Sequence, residues 1–135
     1  MDGQKTSSWQ WLAGAVVGHL IITIVHGVAH SEAHVSLSRA GAVVVLVVIV
    51  AGPIAGLALT WRAVRIGSWL TAIAMAGSLL FGLVSHFMIS SPDHVAHVAG
   101  PWRPVFATTA VLLALTEALG FGLAMRFALE ANIRS

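Results

Sequence analysis

The chain has no cysteine and no tyrosine, and only 9% of its 135 residues are charged. The lack of cysteine excludes disulfides, thiolate metal ligands and iron–sulfur clusters. The lack of tyrosine removes any phenol that might otherwise serve as an acid or radical carrier. Nor does the sequence contain a Gly-rich phosphate loop, a Ser-His-Asp order or a dinucleotide fingerprint. A soluble domain of this size would carry about a quarter charged residues, whereas this chain is 58% hydrophobic. Its net charge is only +2 and its basic residues are scattered, so no nucleic-acid-binding face is expected.

What is present is lipid-compatible. Four uninterrupted apolar stretches cover about 9–29, 40–60, 66–90 and 104–126. Each is long enough to cross about 30 Å of hydrocarbon at about 1.5 Å per residue. They are continuous rather than alternating, and hydrocarbon accepts only helices or closed barrels. The expectation is an all-α, four-helix transmembrane bundle, up-down-up-down with short loops, forming a single integral membrane domain with the bilayer as its partner. Under this threading Lys5, Arg62, Arg65, Arg126 and Arg134 flank one side, and Arg39 and Arg103 flank the other. The positive-inside rule then puts both termini in the cytoplasm. Trp9, Trp11, Trp61 and Trp69 belong to the cytoplasmic interface and Trp102 to the opposite one. The first stretch is too long for a signal-peptide core and carries a central histidine, so it reads as a retained helix. The Ala, Val and Gly richness suits a bacterial inner membrane.

Six of the seven histidines lie in two short stretches at the ends of apolar segments: His26, His30 and His34, then His86, His94 and His97. At about 100° per residue, His19, His26 and His30 fall within about 40° of one another on the first helix. His26 and His30 are an i, i+4 pair that can hold one ion together. His86 is expected at the depth of His26, and Glu117 near the bilayer midplane. In hydrocarbon His19 and Glu117 each cost several kcal/mol unless paired, so they are expected to face each other inside the bundle. The result is a polar axis from His19 and Glu117, past His26 and His86, opening at His30, His34, Asp93, His94 and His97. The plainer reading is helix–helix hydrogen bonds plus interfacial histidines.

Imidazole suits zinc, copper, nickel and iron, and also serves as a haem ligand. His26, His30 and His86 are the leading candidate ligands, with His94 and His97 as further metal candidates in an outer loop. Asp93 in that loop equally suits a helix-capping turn after Pro92. Glu117 and His19 are candidate catalytic or proton-relaying groups. Glu117 alone is too few carboxylates for a di-iron site.

Further features follow a pattern along the chain. His34 precedes Gly41 by seven residues at the opening of the second helix, and Pro53 sits midway along that helix. Gly67-Ser68 enters the third helix, which exits through Ser85-His86-Phe87 and Ser91-Pro92. Phe121-Gly122 with Ala124-Met125 lies in the fourth. In this layout the chain resembles the styrene oxide isomerases, four-helix membrane enzymes in which haem b acts as a Lewis acid to rearrange an epoxide to an aldehyde. The resemblance implies haem b as cofactor and His34, preceding the second helix, as its ligand. The family's third-helix tyrosine has no counterpart here, and its asparagine near the start of the second helix falls on Ala40.

The expected function is therefore a small membrane haem- or transition-metal-binding protein, its histidine-lined site toward the non-cytoplasmic face. As an isomerase or oxidoreductase it would act on a small apolar substrate. The alternatives are a copper- or zinc-handling membrane protein and a non-catalytic subunit of a larger membrane complex. With so few helices, a homo-oligomer is also expected.

Overall fold

In a computed structural model the described residues are Asp2–Ile133, with side chains described from Trp9 onward. Arg134 lies outside the described residues, as does the side chain of Lys5. Four helices account for nearly all of the chain: α1 (Asp2–Glu32), α2 (Arg39–Thr60), α3 (Val64–Met88) and α4 (Arg103–Ile133). Each is long and apolar enough to cross a membrane. There is no strand among the described residues.

The ends differ from the expected 9–29, 40–60, 66–90 and 104–126 for identifiable reasons. Apolarity marks where lipid is met, not where helical hydrogen bonding stops. Thus α1 starts within the polar Asp2–Ser8 segment. At its far end α4 runs on through Arg126 and Glu130, which form an exposed i, i+4 ion pair at 2.8 Å. By contrast α3 stops at Met88, because Ile89 is already extended (φ −91°, ψ 128°) ahead of Pro92. Ser38 caps α2 by accepting the Gly41 N–H at 3.0 Å.

Each helix turns one stripe inward. On α1 the stripe is Leu12, Val16, His19, His26 and Ala29, while Ile21, Ile24 and Val28 stay exposed, as lipid-facing residues would. On α4 it is Phe106, Thr109, Leu113, Glu117, Ala124 and Ala128. Leu12, Val16, Ala72, Met75 and Ala124 make one apolar cluster; Ala29, Val98 and Phe106 make a second. Along α1 the buried histidines fall between these two clusters. The loop between α3 and α4 (89–102) is held down through Val98, which belongs to the second.

Helix α4 packs along α1 and α3, and α3 also packs along α2, whereas contact between α1 and α2 is slight. The α2–α3 crossing depends on glycine. A β-carbon on Gly67 would collide with the backbone of Leu59 and Thr60, and one on Gly56 with the backbone of Thr71. Such close approach is how helices associate in lipid, where apolar burial gives little driving force. Two hydroxyls at the crossing are satisfied within their own helices, Thr60 donating to Gly56 O at 2.8 Å and Thr71 to Gly67 O at 2.9 Å, whereas that of buried Ser68 has no hydrogen-bond partner.

Two π-helical turns interrupt the α-helical ladder, at Val45–Ala51 in α2 and Val84–Met88 in α3. The first lies just before Pro53, which has no N–H to offer the carbonyl four residues back, that of Ile49. The second carries His86.

Gly67→Val is expected to lower stability by about 1–3 kcal/mol, toward the upper end because the obstructing atoms are backbone. Gly14→Val, where nothing lies within 4 Å of the added carbon, is the neutral control. Thermal unfolding in detergent measures both; equal midpoints for the two variants would contradict the close crossing.

Candidate metal centre

His26 and His30 lie one turn apart on α1, and His86 reaches them from the π-helical end of α3. One ring nitrogen from each lies within 4.8 Å of the others, a grouping that can hold a metal ion. His26 and His86 are each only 6% exposed. Their Nε2 atoms are 3.2 Å apart. The fully buried ring of Phe106 packs on all three imidazoles, with centroids 4.8 Å from His26, 4.8 Å from His30 and 5.4 Å from His86.

The outward nitrogens fix the tautomers. His26 Nδ1 is 2.7 Å from Thr109 Oγ1, and that hydroxyl spends its own hydrogen on the Val105 or Phe106 carbonyl. Thr109 therefore accepts, and His26 Nδ1 carries the proton. His86 Nδ1 donates to the Asp93 carbonyl at 3.0 Å. His30 Nδ1 makes a long hydrogen bond of 3.4 Å to the Val35 carbonyl. In a neutral imidazole the other nitrogen then holds a lone pair, so His26 and His86 each present Nε2 as an acceptor, while His30 Nε2 faces the Asp93 carboxylate, an approach that a ring N–H rather than a lone pair stabilises. His26 and His86 thus face each other lone pair to lone pair. Asp93 Oδ1 adds negative charge, 3.1 Å from His30 Nε2 and 3.4 Å from His86 Nδ1, and accepts no hydrogen bond.

Deeper in the bundle, His19 is fully buried. Its Nε2 donates to the Ile49 carbonyl at 3.0 Å, the same carbonyl that Pro53 leaves without its usual donor. Its Nδ1 has no hydrogen-bond partner and lies 3.7 Å from Glu117 Oε1. Glu117 is 2% exposed.

A cavity of about 240 Å³ joins the two groups of residues. His26, His30, His86 and Asp93 line it, and so does Glu117. The rest of its wall is mostly apolar, with Val45 and Ile49 from α2, Phe81 from α3, and Ala110 and Leu113 from α4. The slight α1–α2 contact leaves room for this space.

The other candidate histidines lie apart from the cluster. His34 is exposed and has φ +55°. It occupies the left-handed position that ends α1: its N–H bonds to Ser31 O at 3.1 Å, and the Val35 N–H to His30 O at 3.0 Å. That pair of bonds is a Schellman cap, with histidine where glycine is usual. In the α3–α4 loop, His94 Nε2 donates to the Phe87 carbonyl at 3.3 Å while its Nδ1 accepts the Ala96 N–H at 3.1 Å. His97 Nδ1 donates to the Ser91 carbonyl at 2.8 Å. These rings hold the loop's backbone, and neither lines the cavity.

Two contributors escaped the sequence reading: Thr109 fixes His26 and Phe106 seats all three rings. Asp93, expected on the polar axis, contacts His30 and His86. The four-residue spacing Thr109, Leu113, Glu117 on α4 is the signal that places Thr109 on the inward stripe. No family model, curated protein or solved structure matches the chain.

Thr109→Val leaves the buried His26 Nδ1–H without an acceptor and should lower stability by about 1–3 kcal/mol. Thr109→Ser, which keeps the hydroxyl, should recover most of that loss in the same unfolding measurement.

Proposed function

We propose that the protein is an integral membrane metalloprotein in which His26, His30 and His86 hold one divalent transition-metal ion by their Nε2 atoms. The observation that carries this reading is the 3.2 Å approach of the His26 and His86 Nε2 atoms while both Nδ1 atoms are committed to acceptors. Two lone pairs at that distance repel unless a cation lies between them. A metal ion between them could also take His30 as a third ligand, leaving Asp93 beside it as a counter-charge. In a tetrahedral site with metal–nitrogen bonds of about 2.0–2.1 Å, ligand nitrogens are about 3.3–3.4 Å apart. The His26–His86 spacing is close to that, and the His30 nitrogen lies within 4.8 Å of both.

An all-imidazole set favours zinc, copper, nickel or iron. The Nδ1 bonds to Thr109 and Asp93 are the outer-shell contacts that orient such ligands. Three protein ligands leave one coordination position open, as in catalytic rather than structural zinc sites. Here that position would face the apolar cavity, so the ion would act as a Lewis acid or redox centre on a small, mainly apolar molecule arriving from lipid.

A bare ion fits these residues better than haem b. A haem iron shared by His26 and His86 would need their Nε2 atoms about 4 Å apart with a flat macrocycle between them. The rings are instead closer, edge-to-face at 82°, and seated on Phe106. His34, the haem ligand implied by the isomerase resemblance, lies exposed at the left-handed cap of α1 and does not line the cavity. Passage of copper or zinc through the membrane is a second reading, supported by Glu117 on the deeper wall of the same cavity. We place both termini in the cytoplasm, beside exposed Arg62 and Arg65 of the α2–α3 end.

Purified protein should bind about one zinc ion per chain by elemental analysis. His86→Ala should lose most of that metal while keeping its helical circular dichroism. His34→Gly, which suits the left-handed cap, should keep both. Full metal retention by His86→Ala would refute the site, and a red wild-type protein that loses its colour in His34→Gly would restore the haem reading.

A further inference from the structure

Beneath the histidine cluster, Glu117 and His19 form a pair that metal ligation does not use. His19 spends its Nε2–H on the Ile49 carbonyl, so its neutral ring turns a lone pair toward Glu117 Oε1 at 3.7 Å. A bare carboxylate facing a lone pair in the hydrocarbon interior is strongly disfavoured. One proton shared by the two residues makes them neutral. The described residues that line the cavity include no lysine or arginine to take its place.

The cavity links this proton to the metal. A divalent ion on three neutral imidazoles brings two positive charges into a low-dielectric space. Asp93, beside His30 and His86, supplies one negative charge. The only other carboxyl group lining the cavity is that of Glu117. The titratable groups facing the cavity are His26 and His30 from α1, His86 from α3, Asp93 from the α3–α4 loop and Glu117 from α4. Helix α2 contributes only apolar side chains there.

We propose that the Glu117–His19 pair is a proton site coupled to the metal centre: binding of a divalent ion at the histidines expels the proton, leaving Glu117 as the second counter-charge. The step balances as protonated pair plus M²⁺ giving Glu117 carboxylate, neutral His19, bound M²⁺ and one H⁺ released to solvent. This inference rests on the metal reading above and adds proton exchange to it.

The test is calorimetric titration of the detergent-solubilised full chain with Zn²⁺, in buffers of different ionisation enthalpy. It is run at about pH 8, above the ordinary imidazole range near 6.5, so that free histidines are already neutral. Wild type should release about one proton per zinc. Glu117→Gln should bind zinc at the same stoichiometry, roughly tenfold more weakly, and release none. Equal release from both proteins would place the proton on a metal-bound water and overturn the exchange. Zinc binding by wild type with no release would overturn it too, while leaving the metal site intact. Failure of wild type to take up zinc would overturn both. Should Glu117→Gln not fold, infrared difference spectra of wild type decide the matter. Zinc should abolish a protonated-carboxyl stretch whose frequency shifts in Glu117→Asp, and a stretch that persists would overturn the proposal.

Discussion

The site depends on the hydrogen bonds that hold His26 and His86 from behind. Thr109 and the Asp93 carbonyl each take an Nδ1–H, and so aim two lone pairs at one point. Without them either ring could turn over or change tautomer, and the facing nitrogens could relax into an ordinary hydrogen bond. With them, the centre offers two acceptors to a cation or a hydrogen-bond donor. The polarity of the site is thus set by atoms behind the rings.

The surrounding structure serves that constraint. Glycine contacts bring α2 against α3, and α4 fills the space between α1 and α3, carrying Thr109, Phe106 and Glu117 on one stripe. The α3–α4 loop folds back through Val98 onto Ala29 and Phe106, which places Asp93 over His30 and His86. The buried histidines and Glu117 are kept to one interior line between two apolar clusters. Most of the remaining surface is aliphatic, as a lipid-facing surface must be.

The four helices were legible because hydrocarbon imposes length and apolarity on every span. So was the inward stripe of α1, since His19, His26 and His30 repeat at helical spacing. The joining of His26 and His30 with His86 followed from matched depth alone. What could not be read depended on backbone detail. His34 lies outside the cluster because α1 ends there in a left-handed cap, a backbone event that hydropathy does not encode. His94 and His97 lie outside it because the loop after α3 turns them back onto the Phe87 and Ser91 carbonyls, along a path no periodicity encodes. Thr109 is one small residue in an apolar run, and only the tertiary approach of His26 gives it meaning. The π-helical turns leave no mark in hydropathy, although Pro53 hints at the first.

The second of those turns bears on how such a centre can arise. A π-helical turn accommodates about one residue more than the α-helix it interrupts. Through Val84–Met88 that surplus sets the heading of His86 as the helix ends, with the Ile89 N–H reaching back five residues to Val84 O at 2.9 Å. Deleting a single codon there would restore regular winding and swing the imidazole toward a different neighbour, with the membrane span scarcely shortened. The same scaffold could therefore gain or lose its histidine cluster through one insertion or deletion, with every histidine still in the gene.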